Sequence, residues 1–561
     1  MTVGREPLER RVASGWILAG LFLLLLLPAC LDVTRYHGDE RFYTDAAVSM
    51  VKSGDWLSPR YPDGRLRVEK PILSYVVLAA SYETLGVSLF ASRLPFAVAG
   101  ALLVGVTWQA GLLLLRDRRA ALLGAALVAS NPHVLSLSGR STPDILLCLF
   151  LLLGFMGFAA LLRGDEGSAP RAMAWLGTGA GVAAKGGLGL VLLAYAVACA
   201  AASRDRAVRL RRLFDPVFLP LGLALAAGGF GVYALVHGPG ALAGSVYDQV
   251  GGRNGRGMGL LPGLLPYLRV PFEQLAPWLA LLALGAVRGR AAIGEFLRAH
   301  AFVVRFALGW LGVTILVFSF GALVRGRYLA PALPPAVLVL AGALVAAARS
   351  DEAETWLRRG ALAFLAIVAA GGLALAAIGA RVGPGLVAAG ALPAVAAATG
   401  LAFTRRRNAT AALVSLAVTL LVAQTAGLAG VRETFARSPV PEIAARLLDP
   451  ALEGLRIAQV GESAHLASKL RVATGGLEID GHWRRKGEPD PSRYDVIVSD
   501  RPFDASVVAA GFRVEPCGES FGDDWTPAEV IAVLRADDPA ARLARRAEPY
   551  WLAIRGAPAG G

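Results

Sequence analysis

The feature that most constrains this chain is a long succession of apolar blocks separated by short, arginine-rich turns. A helix needs roughly 20 apolar residues to cross the hydrocarbon core, where only internal hydrogen bonding can satisfy its backbone. Of the 561 residues, 55% are hydrophobic and 17% charged, whereas a soluble domain is about a quarter charged. The net charge of +14 sits largely in the turns, as in Arg116-Asp117-Arg118-Arg119, Arg204 to Arg212 and Arg405-Arg406-Arg407. Cytoplasmic loops of membrane proteins concentrate arginine and lysine in this way. The basic balance is therefore a topology signal, and no nucleic acid is expected among the partners. Cys30, Cys148, Cys199 and Cys517 form no CxxC or Cys/His cluster, which argues against a zinc site or a disulfide framework.

The pattern predicts a polytopic α-helical membrane protein of about 13 spans. The first, Trp16 to Leu31, follows Arg5, Arg10 and Arg11, which puts the N-terminus in the cytoplasm. An alternative is a signal peptide, with Pro28-Ala29-Cys30 as a lipoprotein-like cleavage site. Residues 32–89 are too polar for simple spans. They are expected to form a first outer loop with two interfacial helices, Asp39 to Lys52 and Ile72 to Leu85, the second opened by Pro71. With these helices on the surface, nearly every basic cluster falls on one side. Residues 1–431 then form the transmembrane part. Residues 432–561 have short apolar runs, Ile457–Val460 and Val496–Ser499, that suit buried strands, while Ala464–Ala473 and Pro527–Arg535 suit helices. A small soluble α/β domain outside the membrane is expected there.

On this topology the distinctive polar residues gather at the outer face: Asp39, Glu40, Glu69, Lys70, Arg140, Asp144, Lys185, Arg325, Arg327 and Tyr328. Ionisable groups at membrane depth are costly and usually functional. A carboxylate can take a proton from an acceptor hydroxyl or amine, and Lys and Arg can hold a phosphate leaving group. Structural alternatives exist for each. Asp39, Glu40 and Asp144 could cap helices, Lys185 could snorkel at a span end, and Tyr328 could belong to an interfacial aromatic belt. In Asp480-Gly481-His482-Trp483, Trp483 could touch carbohydrate, although a packed core tryptophan suits it as well.

The run Gly38-Asp39-Glu40, Tyr43, Ser53-Gly54-Asp55-Trp56-Leu57, Glu69-Lys70-Pro71, Tyr75 and Ala91-Ser92-Arg93-Leu94-Pro95 resembles the dolichyl-phosphate-mannose-protein mannosyltransferase superfamily. More narrowly, it is similar to the bacterial branch containing the lipid A aminoarabinose transferase. Arg140 with Thr142-Pro143-Asp144, Ala184-Lys185-Gly186, Pro277-Trp278 and Arg327-Tyr328-Leu329 extend the resemblance. It implies a GT-C class fold and inverting transfer of a sugar from a polyprenyl-phosphate carrier to an envelope acceptor. Membrane lipids are the remaining partners, and the setting is the bacterial inner membrane. It implies Asp39 as the catalytic residue and Asp144 as the second acidic residue. Lys70, Lys185 and Arg327-Tyr328 fall where phosphate-binding residues are expected, and Glu40, Tyr43, Glu69, Arg140 and Arg325 complete the expected substrate-binding set. The resemblance makes no cofactor certain, and a divalent cation could be accommodated. The loop after the seventh span departs from its relatives. It carries Gln249-Val250-Gly251-Gly252-Arg253-Asn254 and no later histidine. The rival functional class is a transporter or flippase of a lipid-linked or anionic substrate, which would carry charges at mid-span and often repeated halves.

Overall fold

The computed structural model describes residues 8–242, 260–321, 324–405, 407–461, 465–481, 490–521 and 525–555. Gln249 to Arg256 and the His482-Trp483 pair lie outside the described residues. The first part of the chain is a bundle of helices: α1 (Leu8–Leu31), α2 (Arg41–Ser53), α3 (Leu73–Leu85), α4 (Leu89–Leu114), α5 (Arg118–Ala129), α6 (Pro132–Ser138), α7 (Asp144–Arg163), α8 (Ser168–Lys185), α9 (Leu188–Ala201), α10 (Arg206–Leu213) and α11 (Phe218–His237). Further long helices follow at Leu260–Ala299, Ala301–Ser319, Leu333–Ala347, Asp351–Val382, Pro384–Thr404 and Ala409–Val422.

Among the described residues, 10 helices are long and apolar enough to cross a membrane, or 11 if α5 and α6 form one bent span. The expectation of about 13 spans exceeds this count by two helices, α8 and α9. α9 has only 14 residues, and α8 mixes its apolar residues with glycine and polar side chains. The chain is a multi-pass membrane protein. The two short helices of the first loop appear as expected, as α2 and α3.

Small residues let the bundle close. Gly15 of α1 lies against the Trp108 ring of α4, and Gly105 of α4 lies against the Trp16 ring of α1. Each glycine leaves the space that the opposite indole fills, so the two backbones approach closely. The 61° bend between α5 and α6 has a local cause. Pro132 opens α6, and the Asn131 side chain caps it by accepting from the His133 and Val134 amides at 3.0 and 3.2 Å.

The basic turns do lie together at one end. Arg163 donates to the Leu114 carbonyl (2.9 Å), His300 Nε2 lies 3.1 Å from the Leu115 carbonyl, and Arg349 pairs with Asp117 (3.2 Å). The opposite end carries the loop before α2, the α6–α7 junction, the end of α8 and the turn at 325–328.

The last part of the chain is a five-stranded sheet: β1 (Ile457–Val460), β2 (Ile479–Gly481), β3 (Val496–Ser499), β4 (Phe512–Ser520) and β5 (Glu548–Arg555). The order is β2-β1-β3-β5-β4. β2, β1 and β3 are parallel, and β5 joins β3 and β4 antiparallel. β1 and β3 are the two wholly buried strands, which is why their apolar runs were legible. Helix Leu466–Ala473 packs this region on α2. The Tyr36 hydroxyl lies 2.7 Å from Ser468 Oγ, Arg471 pairs with Asp45 at 3.0 Å, and Lys52 reaches Glu478 at 3.5 Å.

Candidate active site

The site forms where α1 gives way to α2. Asp39 and Glu40 are adjacent, yet they have opposite environments. Glu40 is fully buried. Its Oε1 accepts from the His37 amide (2.7 Å) and Arg93 Nη2 (3.0 Å), and its Oε2 from Arg93 Nε (3.0 Å) and the Ser141 amide (3.0 Å). Arg93 in turn donates to the carbonyls of Ala29 (2.9 Å) and Asp32 (2.7 Å). One carboxylate therefore ties together the end of α1, the start of α2, the foot of α4 and the loop before α7. Burial pushes the Glu40 pKa up, but Arg93 and the two amides outweigh it and hold the group below its ordinary value.

Asp39 faces outward into the site. Its Oδ2 takes a hydrogen bond from Arg327 Nη2 at 2.7 Å, and Arg325 Nη1 lies 3.6 Å away. Its own amide donates to His37 Nδ1 at 3.1 Å. Burial raises the Asp39 pKa, but the Arg327 bond, its charge and the neighbouring His37 and Arg325 bring it below the usual value. Asp39 is thus an anion at neutral pH. Arg327 keeps a second group for other work, because its Nε is buried with no hydrogen-bond partner among the described residues.

Asp144 opens α7 and is nearly buried. It pairs with Lys185, the last residue of α8. The Lys185 ammonium also stands 5.4 Å from the Tyr328 ring centroid, and Tyr328 stacks on Phe318 at 4.9 Å. Between the two ion pairs sits half-buried Arg140. Its pKa is lowered first by burial, and it also feels Glu40, Arg327, Asp144 and Arg93. No acceptor among the described residues hydrogen-bonds its guanidinium. The site thus holds two ionised carboxylates and four cations in one cluster, an arrangement suited to an anion with bulk to either side.

Tyr43 is buried and stacked on Tyr75, with ring centroids 5.4 Å apart. Beside them Arg67 is caged by the rings of Phe42 (4.7 Å), Tyr61 (4.9 Å), Tyr43 (5.8 Å) and Tyr75 (6.0 Å). Glu69 closes the cage, 3.3 Å from Arg67 and accepting from the Tyr61 hydroxyl at 2.8 Å. Lys70 follows, its carbonyl held by the Tyr233 hydroxyl of α11 at 3.1 Å. Direct contacts therefore bring Asp39, Arg325 and Arg327 into one group and Asp144, Lys185 and Tyr328 into a second. Glu69 and Tyr43 belong to the aromatic cage, and Lys70 to the seam with α11. Sequence reasoning passed over Arg67 and gave Arg93 no role, although Arg93 stood within a matched motif. Among the described residues no group of three or more His, Cys, Asp or Glu is placed to hold a metal ion.

Comparison with known proteins bears on the fold. Residues 22–207, which include Asp39, Arg140, Asp144 and Lys185, match the family described as dolichyl-phosphate-mannose-protein mannosyltransferase. The crystal structure of ArnT from Cupriavidus metallidurans bound to undecaprenyl phosphate superposes with a TM-score of 0.67 at 20% identity, covering 98% of this chain and 100% of that one. Its apo form gives a TM-score of 0.65 at 19% identity, covering 91% and 97%. The fold is that of a GT-C membrane glycosyltransferase, with a small five-stranded domain at the C-terminus. Within that class the chain is similar to the undecaprenyl phosphate-alpha-4-amino-4-deoxy-L-arabinose arabinosyl transferases. It is 29% identical to the Pectobacterium carotovorum subsp. carotovorum (strain PC1) protein over 211 residues, 37% of each chain. With the Pseudomonas aeruginosa (strain LESB58) protein it shares 31% identity over 141 residues, 24% of this chain and 25% of the relative. The match spans well under half the length of these curated relatives.

Proposed function

We propose that the protein is an inverting glycosyltransferase that moves a sugar from a polyprenyl-phosphate carrier to an envelope acceptor at the outer face of the bacterial inner membrane. The observation that carries this is the Asp39 carboxylate held by Arg327 and Arg325, with Arg140 and the Asp144–Lys185 pair beside it in a bundle of GT-C fold. The acceptor hydroxyl or amine attacks the anomeric carbon opposite the phosphate. The bond from that carbon to the phosphate oxygen breaks, the phosphate leaves with the electron pair, and the nucleophile's proton passes to Asp39. Arg327, Arg140 and Lys185 neutralise the departing phosphate.

The pairing of Asp39 with Arg327 supports an order for these events. While Arg327 binds Asp39, the carboxylate is a weak base. A donor phosphate competes for the guanidinium, releases Asp39 and raises its basicity as the substrate arrives. Glu40 acts as a positioning residue through Arg93, and the domain of residues 432–561 lies outside the membrane, with the N-terminus in the cytoplasm. The similarity to aminoarabinose transferases favours a lipid A-type acceptor. D39N, expressed and folded like wild type, is expected to abolish the envelope product seen by mass spectrometry in a complemented deletion strain. Near-wild-type product from D39N would refute the assignment.

A further inference from the structure

One side chain of the C-terminal domain comes against the residue next to Asp39. His465 precedes helix Leu466–Ala473 and lies over Gly38, next to Asp39 in the chain. A methyl group built on Gly38 would come within 2.8 Å of both Cε1 and Nε2 of the His465 ring. Glycine at 38 thus leaves the space in which the imidazole rests. The ring is not there by accident of a loose domain. Three contacts fix the helix that carries it: Tyr36 to Ser468 at 2.7 Å, Thr44 to Ser468 at 3.3 Å, and Arg471 to Asp45 at 3.0 Å, the last pair largely buried.

Two facts mark His465 as more than packing. Its Nδ1 is buried and has no hydrogen-bond partner among the described residues. A buried polar atom left unpaired is destabilising, so a native structure that keeps one usually pairs it in another state. The ring is also neutral, with its pKa pushed down to about 4 by burial, with Arg41, Lys469 and His37 adding to the effect and Asp39 opposing it. A neutral imidazole beside an ionised carboxylate offers a hydrogen-bonding site without neutralising that carboxylate. The donor's side of the cluster is already supplied with cations from Arg140, Lys185 and Arg327. His465 comes to the same loop from the C-terminal domain, against Gly38.

We infer that His465 is an acceptor-contacting residue: its Nδ1 hydrogen-bonds the hydroxyl- or amine-bearing end of the acceptor as that group settles on Asp39, so the soluble domain completes the acceptor half of the site. This rests on the transferase reading above. It assigns the C-terminal domain to substrate selection and makes the Gly38–His465 contact part of the active site.

The test uses the full-length protein. Envelope product is measured by mass spectrometry in a deletion strain complemented with each variant, and binding of undecaprenyl phosphate is measured on the purified protein in nanodiscs. Loss of one uncharged hydrogen bond is expected to lower product formation by H465A about tenfold, with undecaprenyl phosphate affinity within about twofold of wild type. H465N, which can place an amide atom near the Nδ1 position, is expected to recover part of the loss. G38A displaces the ring and is expected to show a similar defect that does not add to that of H465A. Wild-type product from H465A, with D39N inactive, overturns this inference and leaves the transferase reading standing. So does an equal loss of undecaprenyl phosphate binding, or an H465N as defective as H465A, because His465 then only holds the domain in place. Full product from D39N, or no change in envelope products on deletion, overturns the transferase reading and this inference with it.

Discussion

Glu40→Gln is the most informative single change, because nearly every shape feature of the side chain is kept. All four groups that reach Glu40 are donors: Arg93 Nε, Arg93 Nη2, the His37 amide and the Ser141 amide. A glutamine can place its oxygen on only one of the two pairs. Its NH2 must then face the other pair, donor against donor, whichever way the amide is turned. Two hydrogen bonds are lost, one of them from Arg93, and Arg93, itself fully buried, keeps its charge with only neutral partners, the glutamine oxygen and two backbone carbonyls. Breaking one side of a buried ion pair costs about 3–5 kcal/mol. In a protein of this size that corresponds to a thermal midpoint lower by roughly 3–4 °C in nanodiscs, followed by tryptophan fluorescence. Transfer activity falls as well, since His37 and Ser141 lose the anchor that sets the loops around Asp39. The E40Q/R93M double variant removes both charges and is expected to recover stability relative to E40Q. The linkage has a definite sign. The Glu40 pKa is depressed on folding, so its contribution is present above the ordinary glutamate pKa and is lost as pH falls through the lower folded value. An E40Q midpoint within 1 °C of wild type at pH 7, by the estimate above, would refute the idea that this pair holds the site together.

Other consequences follow from the same contacts. In R327Q, burial is no longer opposed by the guanidinium, so the Asp39 pKa rises; the acid limb of kcat/KM, below the usual carboxylate range in wild type, is expected to move to higher pH. An unmoved limb would mean that Asp39 does not titrate in that profile. R471A leaves Asp45 without its cation at 3.0 Å and is expected to loosen the soluble domain, measured as faster proteolysis in the 432–555 region and slower transfer at unchanged undecaprenyl phosphate affinity. Unchanged proteolysis would show that the remaining contacts, Tyr36 and Thr44 to Ser468 and Lys52 to Glu478, suffice.

Much of the fold was legible because it rests on local patterns. A membrane core demands runs of apolar residues, and arginine marks the turns, so helices such as α4 and α7 announce themselves. α2 and α3 were legible for the complementary reason, being too polar or too short to span. β1 and β3 showed as apolar runs because both of their faces are buried. β4 intersperses charged and polar residues along a half-exposed strand, and the apolar run of its antiparallel partner β5 is bounded by Glu548 and Arg555, so neither stood out. The expected count of about 13 exceeds the 11 long apolar helices among the described residues because α8 and α9 have the apolar composition of spans, α9 in only 14 residues and α8 interrupted by glycine and polar side chains.

The adjacent carboxylates Asp39 and Glu40 mark the line between the two kinds of knowledge. The sequence by itself determined a polytopic membrane bundle, the place where its charges cluster, and Asp39-Glu40 as the focus of that cluster. These follow from hydropathy, charge and motif, which act within a few residues. Only the tertiary structure decided which carboxylate is available. Glu40 is consumed by Arg93, 53 residues away, and by the Ser141 amide, 101 residues away, while Asp39 turns to Arg327, 288 residues away. Partners at such separations are chosen by packing, which leaves no periodic trace in the chain, and His465 reaches the same loop in the same way.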